Sequence, residues 1–313
     1  MKKLKIFITV VFCSQLHGQT GILSGFITDS SSGEALIGAN VILIETGKGM
    51  ATDINGYYII QTVPEGKNTV MVSYVGFKSF RKELDFTEEE SKKLNIQLVE
   101  SLVELTEVEV SAEKLQRRNN IQPSKINLSP RMMKAAPALA EPDLFRTIQS
   151  LPGVLTTSEF STGLVIRGGN TDQNLILLDG ITVYNPSHLG GVFSNFIVDG
   201  VKEAELIKGA YNAEYGGRLS AVLNVISREG NQKSFQGKAN LSLLSSQATL
   251  EGPFYKGAWL LSGRRTYFDI LLPKILPPAT AARVPPYYFY DIQSHVFSDL
   301  TEKDRISVSF YNG

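Results

Sequence analysis

The chain has 313 residues, with 31 Lys plus Arg balancing 31 Asp plus Glu, and 42% of its residues are hydrophobic and 20% charged. This is the composition of a globular protein long enough for about two domains, which excludes a disordered or fibrous chain. The zero net charge without a basic stripe excludes nucleic acid as a partner, and the single cysteine, Cys13, excludes a disulfide framework and Cys-ligated metal sites.

Lysines at 2, 3 and 5, an apolar core from Ile6 to Phe12 and the polar run Ser14 to Gln19 have the layout of a secretory signal peptide over residues 1–19, with a buried N-terminal strand as the alternative. The apolar core is too short to span a bilayer. Phe12 is too large for the usual lipoprotein cleavage site ahead of Cys13, so lipid anchoring is not expected. No later segment reaches the run of about 20 apolar residues that a membrane helix needs. Entry into a membrane would therefore have to be as a β-barrel.

From Gly21 to Leu98 the pattern is all-β, with apolar alternation at Val41 and Leu43, at Val70, Val72 and Tyr74, and at Leu94, Ile96 and Leu98. About six or seven short strands predict a sandwich over residues 20–100. Asp53-Ile54-Asn55-Gly56 ahead of Tyr57 to Ile60 predicts a hairpin, since Asn-Gly accepts the positive φ of a tight turn. No histidine lies between Gly18 and Ser187, so this segment offers no zinc-ligand set and no paired acid and base. Tyr57, Tyr58 and Tyr74 are expected to serve packing.

Residues 101–122 form a polar linker carrying one extended alternation, Leu105 to Ala112. Such a stretch can add itself to another protein's sheet edge, or it can be the last strand of the sandwich. Glu141-Pro142 predicts the start of a helix with Leu144, Phe145, Ile148 and Leu151 on one face, stopped by Pro152-Gly153.

The short apolar runs Leu164 to Ile166, Leu175 to Leu178, Leu206 to Ile207 and Ala221 to Ile226 abut glycine corners at Gly168-Gly169, Asp179-Gly180, Gly209 and Gly216-Gly217. They predict a small α+β domain with a mixed sheet. Arg167 and Lys208 each follow a strand and precede a glycine, so each charged head emerges at a sheet end and needs a partner or water. His188, in Asn185-Pro186-Ser187-His188-Leu189-Gly190, has no second ligand nearby and is expected to be a surface or turn residue, not a metal ligand.

After Gly230 the period becomes two. Ala239, Leu241 and Leu243 alternate with Lys238, Asn240 and Ser242, and Ile306, Val308 and Phe310 alternate with Arg305, Ser307 and Ser309. This is the apolar-out, polar-in pattern of an outer-membrane strand, and equally that of a soluble antiparallel sheet with one wet face. Glu251-Gly252-Pro253 and Thr301-Glu302-Lys303-Asp304 are expected as turns, and Tyr287, Tyr288 and Tyr290 suit an interfacial aromatic girdle.

I-R-G-G at 166–169, L-L-D-G at 177–180 and K-G-A-Y-N-A-E-Y-G-G-R-L-S at 208–220 resemble the plug domain of TonB-dependent outer-membrane receptors. The phrases at 25–41, 52–59 and 72–77 resemble the carboxypeptidase-regulatory-like domain, a transthyretin-like sandwich that precedes the plug in many receptors of Bacteroidota, and L-P-G-V at 151–154 matches the end of the family's first plug helix. The resemblance implies a mainly β chain: signal peptide 1–19, sandwich 20–100, linker with a TonB box 101–122, α+β plug 123–230, and the first antiparallel strands of an outer-membrane β-barrel over 231–313. A plugged barrel has about 22 strands, and residues 236–313 suffice for about five of them. The expectation is the leading part of a longer receptor or a truncated product.

By the same resemblance Thr106, Glu107, Val108, Glu109 and Val110 form the TonB box. The plug motif and plug–barrel contact comprise Arg167, Gly168, Gly169, Asp179, Gly180, Lys208, Gly209, Tyr215, Gly216 and Gly217, with Arg167 and Lys208 pairing to acids on the barrel wall. The family's usual arginine is a lysine at 208, which loses bidentate geometry, and two solvated cations are the alternative. Tyr184, Asn185 and His188 belong to a ligand-facing loop. The implied partners are TonB with its inner-membrane energising complex, a small nutrient ligand, a surface lipoprotein lid and the outer membrane, and the implied activity is uptake without catalysis, cofactor or metal. A non-transporting binding module of the periplasm or cell surface is the second reading.

Overall fold

The computed structural model describes residues 21–87, 90–101, 125–136, 141–158, 161–277, 280, 287–301 and 304–313. The expected signal peptide and the expected TonB box, Thr106 to Val110, lie outside the described residues. The chain divides into two compact units, taken in turn below.

The first unit runs through β1 (Gly21–Asp29), β2 (Asn40–Leu43), β3 (Gly49–Ala51), β4 (Tyr57–Val63), β5 (Gly66–Ser73), β6 (Phe80–Phe86), β7 (Ser91–Lys93) and β8 (Ile96–Leu98). One sheet has the order β4-β1-β7 with β8 also on β1, and the other the order β3-β2-β5-β6. Alternate residues turn inward along each strand, so that Leu23 and Ile27, Val41 and Leu43, Tyr58 and Ile60, and Val70 and Val72 meet in one buried core. Tyr58 is fully buried and donates its hydroxyl to the Leu94 carbonyl at 2.8 Å. Tyr57 rests on Phe26 and Tyr74 on Phe77, so all three tyrosines pack.

The Asp53–Gly56 turn differs from the expected hairpin. It carries the chain from one sheet to the other, because β3 pairs with β2 while β4 pairs with β1. The turn closes locally, Asp53 accepting from the N–H groups of Asn55 and Tyr57, but strand partnership is decided by which apolar face each strand buries. Gly56 is needed there twice over: its φ is +74°, and a Cβ would lie 2.6 Å from the Ile27 carbonyl oxygen.

In the second unit β9 (Lys125–Leu128) leads into α1 (Pro130–Ala135) and α2 (Leu144–Gln149), followed by β10 (Val154–Thr156), β11 (Leu164–Ile166), β12 (Leu175–Leu178), β13 (Ile181–Thr182), β14 (Ser187–His188), β15 (Phe193–Ser194), β16 (Val201–Ile207) and β17 (Val222–Ser227). The main sheet has the order β13-β12-β17-β16-β9, with β12 and β17 parallel and the other pairs antiparallel. Met133, Leu144, Phe145 and Ile148 cover one face against Leu128, Ile176, Leu178, Ala204, Leu206, Leu223 and Val225. α2 begins at Leu144, not at Pro142, because the Asp143 carboxylate accepts from the N–H groups of Phe145 and Arg146 and so takes the cap position.

The unit continues as a five-stranded antiparallel meander, β18 (Gln236–Leu241), β19 (Ser245–Phe254), β20 (Gly257–Thr266), β21 (Tyr290–Asp299) and β22 (Arg305–Asn312), with α3 (Phe268–Ile275) between β20 and β21. Glu251-Gly252-Pro253, expected as a turn, lies inside β19, and the chain reverses at Tyr255, where φ is +50°. Pro253 is tolerated because the pairing of β18 with β19 ends at Glu251, so its missing N–H faces no partner. Of the second expected turn, Glu302 and Lys303 lie outside the described residues, and the Thr301 hydroxyl accepts from the Asp304 N–H. Leu250, Leu261, Ile292, Ile306, Val308 and Phe310 are exposed on one face, while Ser262, Arg264, Asp291 and Gln293 are buried on the other. No helix among the described residues is long and apolar enough to cross a membrane, which says nothing of strands.

Candidate functional site

Three places in the second unit hold the side chains singled out from sequence. At one end of the mixed sheet the two cationic corners converge. Arg167 follows β11 with φ +50° and its N–H donates to the Gly153 carbonyl, while Lys208 follows β16 and donates its ammonium to the Pro152 carbonyl at 2.8 Å. The Arg167 guanidinium lies against Gly209, where a Cβ would come within 3.0 Å of it. Among the described residues neither cation meets a carboxylate within ion-pair distance. Gly168 and Gly217 take positive φ. Gly169 is held by its N–H to the Ile166 carbonyl, and Gly216 is exposed. Tyr215 shields a second apolar cluster, Leu175, Leu177, Ile207 and Val222, and that burial raises its phenol pKa.

The Asp179-Gly180 corner is a two-residue hairpin turn, with φ of +50° and +83°, joining β12 to β13. The Asp179 carboxylate accepts from the Ser227 N–H at 2.8 Å, tying the turn to β17. Beyond it Tyr184, Asn185 and His188 border a cavity of about 650 Å³, together with Thr182, Asn195, Gln293 and Tyr311. Tyr184 is 83% exposed, and the Asn185 carbonyl accepts from the Asn195 side chain.

The densest polar cluster does not stand out in the sequence. The Arg264 and Asp291 side chains are 1% and 0% exposed. Arg264 on β20 donates to Glu141 just ahead of α2, to the Ser194 carbonyl on β15 and to Asp291 on β21, and its guanidinium lies over the Phe289 ring. The other oxygen of Asp291 accepts from His188 Nε2 at 2.7 Å and from the Tyr311 hydroxyl at 2.8 Å, and His188 stacks on Phe289 with ring centres 4.2 Å apart. The second oxygen of Glu141 accepts from the Ser245 hydroxyl at 2.6 Å. One buried cation thus stands between two buried carboxylates, and every charged atom has a hydrogen-bond partner, the condition under which burying charge is tolerated. His188 is therefore a contact of the mixed-sheet domain with the meander, where a surface or turn residue was expected. The parity of the strands is the available signal: Ser262, Arg264 and Thr266, and Asp291 and Gln293, fall on the polar side of alternating runs.

Two family models match the chain. The CarboxypepD_reg-like domain covers residues 23–110. The TonB-dependent Receptor Plug Domain covers residues 127–222, which run from β9 through α1, α2 and β16 to the start of β17. Residues 127–222 are a TonB-dependent receptor plug domain. The curated TonB-dependent receptor P26 of Formosa agariphila is 31% identical over 236 residues, which is 70% of this chain but 22% of that protein. The chain thus spans about a fifth of the length of that relative. Among solved structures, the siderophore receptor PirA of Pseudomonas aeruginosa superposes with a TM-score of 0.41 at 18% identity, covering 60% of this chain and 34% of that one. A mutant of the ferric enterobactin receptor PfeA of the same organism gives 0.42 at 22% identity, covering 61% and 33%.

Further polar contacts hold the plug to the meander. Asp199, ahead of β16, accepts from Lys134 on α1, from Asn240 on β18 and from Gln247 on β19. Burial works against its charge, but the hydrogen bond and charge of Lys134, with Lys238 and Arg228 adding to them, hold its pKa below the usual carboxylate range. The Gln293 amide donates to the Gly200 carbonyl and the Ser227 hydroxyl. On the plug sheet itself Glu203 is 4% exposed with one carboxylate oxygen unpartnered. Its burial, with Glu205 alongside, pushes its pKa up to about 7 against the pull of Lys125 and Lys202. Among the described residues no group of three or more His, Cys, Asp and Glu side chains is placed to hold a metal ion.

Proposed function

We propose that this chain serves, within a full-length receptor, in active uptake of a scarce nutrient across the outer membrane, the plug gating a barrel to which the meander contributes strands. The observation that carries the reading is the seating of the plug through buried polar side chains on the inward face of a meander whose opposite face is apolar and exposed. Polar-in, apolar-out alternation is what a strand between lipid and a plugged lumen requires. In this reading Thr106 to Val110 form the box that TonB engages from the periplasm, by adding an extended segment to a sheet edge. Arg167 and Lys208 face acids of the barrel wall, and the loop from Tyr184 to Gly191 meets the ligand. The work is binding and gating, with no covalent chemistry.

Replacing Val108 with Pro in the full-length receptor tests the coupling, since proline removes a strand donor. Uptake and nutrient-limited growth should fall to the level of a strain lacking TonB while ligand binding to intact cells is retained. Unchanged uptake would place the box elsewhere.

A further inference from the structure

The cavity beside the Tyr184–Gly191 loop, about 650 Å³, has the size of a small-molecule site. Among the described residues that line it, only Asp179 and His188 carry side-chain charge near neutral pH, and neither has that charge to spare. One oxygen of Asp179 accepts from the Ser227 N–H at 2.8 Å, and the other is buried, 3.9 Å from His295 Nδ1. His188 Nε2 is held by Asp291, whose side chain is 0% exposed. No lysine or arginine belongs to the described lining. Arg264 lies behind Asp291, 1% exposed and shared between Glu141, Asp291 and the Ser194 carbonyl. Lys208 stands at the far end of the mixed sheet, because β12 and β17 run parallel toward Asp179 and Ser227 whereas β16 runs the other way. What the wall offers is neutral: the amides of Asn185 and Asn195, the hydroxyls of Thr182 and Ser187, and the ring of Tyr184.

We propose that this cavity takes a neutral, hydroxyl-rich ligand, a short uncharged glycan, in preference to an anionic metal chelate or a cationic amine. The proposal rests on the reading of Tyr184 to Gly191 as ligand-facing in an uptake receptor. The physical reason is the cost of desolvation. An anion that gives up its hydration here finds no cation to replace it, and a cation finds no free carboxylate, so either charge is buried uncompensated. A sugar hydroxyl is donor and acceptor at once, as are the hydroxyls and amides of the wall, so hydrogen bonds to water are exchanged for hydrogen bonds to protein at little net cost. The apolar face of a sugar ring can cover an aromatic side chain, and Tyr184, 83% exposed, offers such a ring.

The test is calorimetric binding to the full-length receptor in detergent micelles, with probes that differ in charge. The neutral probes are gluco-, manno-, xylo- and galacto-oligosaccharides, and the charged ones are oligogalacturonates, chitosan oligomers and a ferric tris-catecholate. At least one neutral probe should bind, and about a hundredfold more tightly than any charged probe. Tyr184→Ala should weaken that binding about tenfold without moving the thermal unfolding midpoint, since the ring is exposed. Thr182→Lys, which places a cation in the wall, should weaken the neutral probe and admit the oligogalacturonate. A charged probe that binds wild-type receptor as tightly as the best neutral one, or no binding by any neutral probe, would overturn the proposal. So would neutral binding that both substitutions leave unchanged. If a charged probe binds, the Val108→Pro experiment run with that probe still tests uptake, so the ligand class can fail while the uptake reading stands.

Discussion

Glu203 shows how one side chain can set a pH dependence. It sits on β16, between β17 and β9, buried, with one oxygen unpartnered and Glu205 nearby, and its pKa is raised from 4.5 to about 7. Between these two values the folded state keeps a proton that the unfolded chain has already lost. The associated stability is therefore complete below about pH 4.5 and is lost as pH rises through 7. The total is on the order of 3 kcal/mol. Thermal unfolding of the purified receptor followed from pH 5 to pH 9 should show the plug transition falling with pH, and Glu203→Gln should flatten that slope. A slope unchanged by the substitution would assign the dependence to another group.

At the scale of the element, α2 is short, with six residues, and an isolated helix of that length would not persist in water. It persists because its buried face packs on the sheet and because Asp143 works in two directions, capping Phe145 and Arg146 with one oxygen and holding the Ser194 N–H on β15 with the other. Asp143→Ala should cost about 2 kcal/mol, the upper end of a cap deletion, because it also orphans a buried N–H. The expected signature is faster amide exchange at Phe145, Arg146 and Ser194 together, and Asp143→Asn should recover the larger part of the protection.

For the molecule as a whole, the plug is fixed to the meander by side chains distant in sequence: Glu141 to Arg264, Asp199 to Asn240 and Gln247, His188 to Asp291, and Gln293 to Ser227. Arg264 neutralises two buried carboxylates, so Arg264→Ala should destabilise the seated plug by about 3–5 kcal/mol, the cost of leaving buried charge uncompensated. In cells carrying the full-length receptor the expected result is entry of a large antibiotic such as vancomycin and protease cleavage near α2. A tight, protease-resistant plug in that variant would mean the seat lies elsewhere.

The local rules are legible in the residues themselves. Alternation marks the strands of the sandwich and the meander, and the glycine corners at Gly168, Gly180 and Gly209 mark the bends of the plug, because side-chain parity and positive φ are properties of neighbouring residues. The same rules misplace the helix start at Pro142, where the Asp143 cap prevails, and the turn at Gly252-Pro253, which the end of β19, paired there with β20 and not with β18, absorbs. The Asn55-Gly56 turn is visible as a turn, but not as a crossing between sheets. Parity puts Arg264 and Asp291 on the polar side of their strands without naming their partners. Those partners, Glu141 at 123 residues' separation and His188 at 103, are brought within hydrogen-bond reach only when the plug docks on the meander. Sequence alone determined which face each residue presents; the tertiary structure decided what stands opposite, since a buried charge is matched by its neighbours in space.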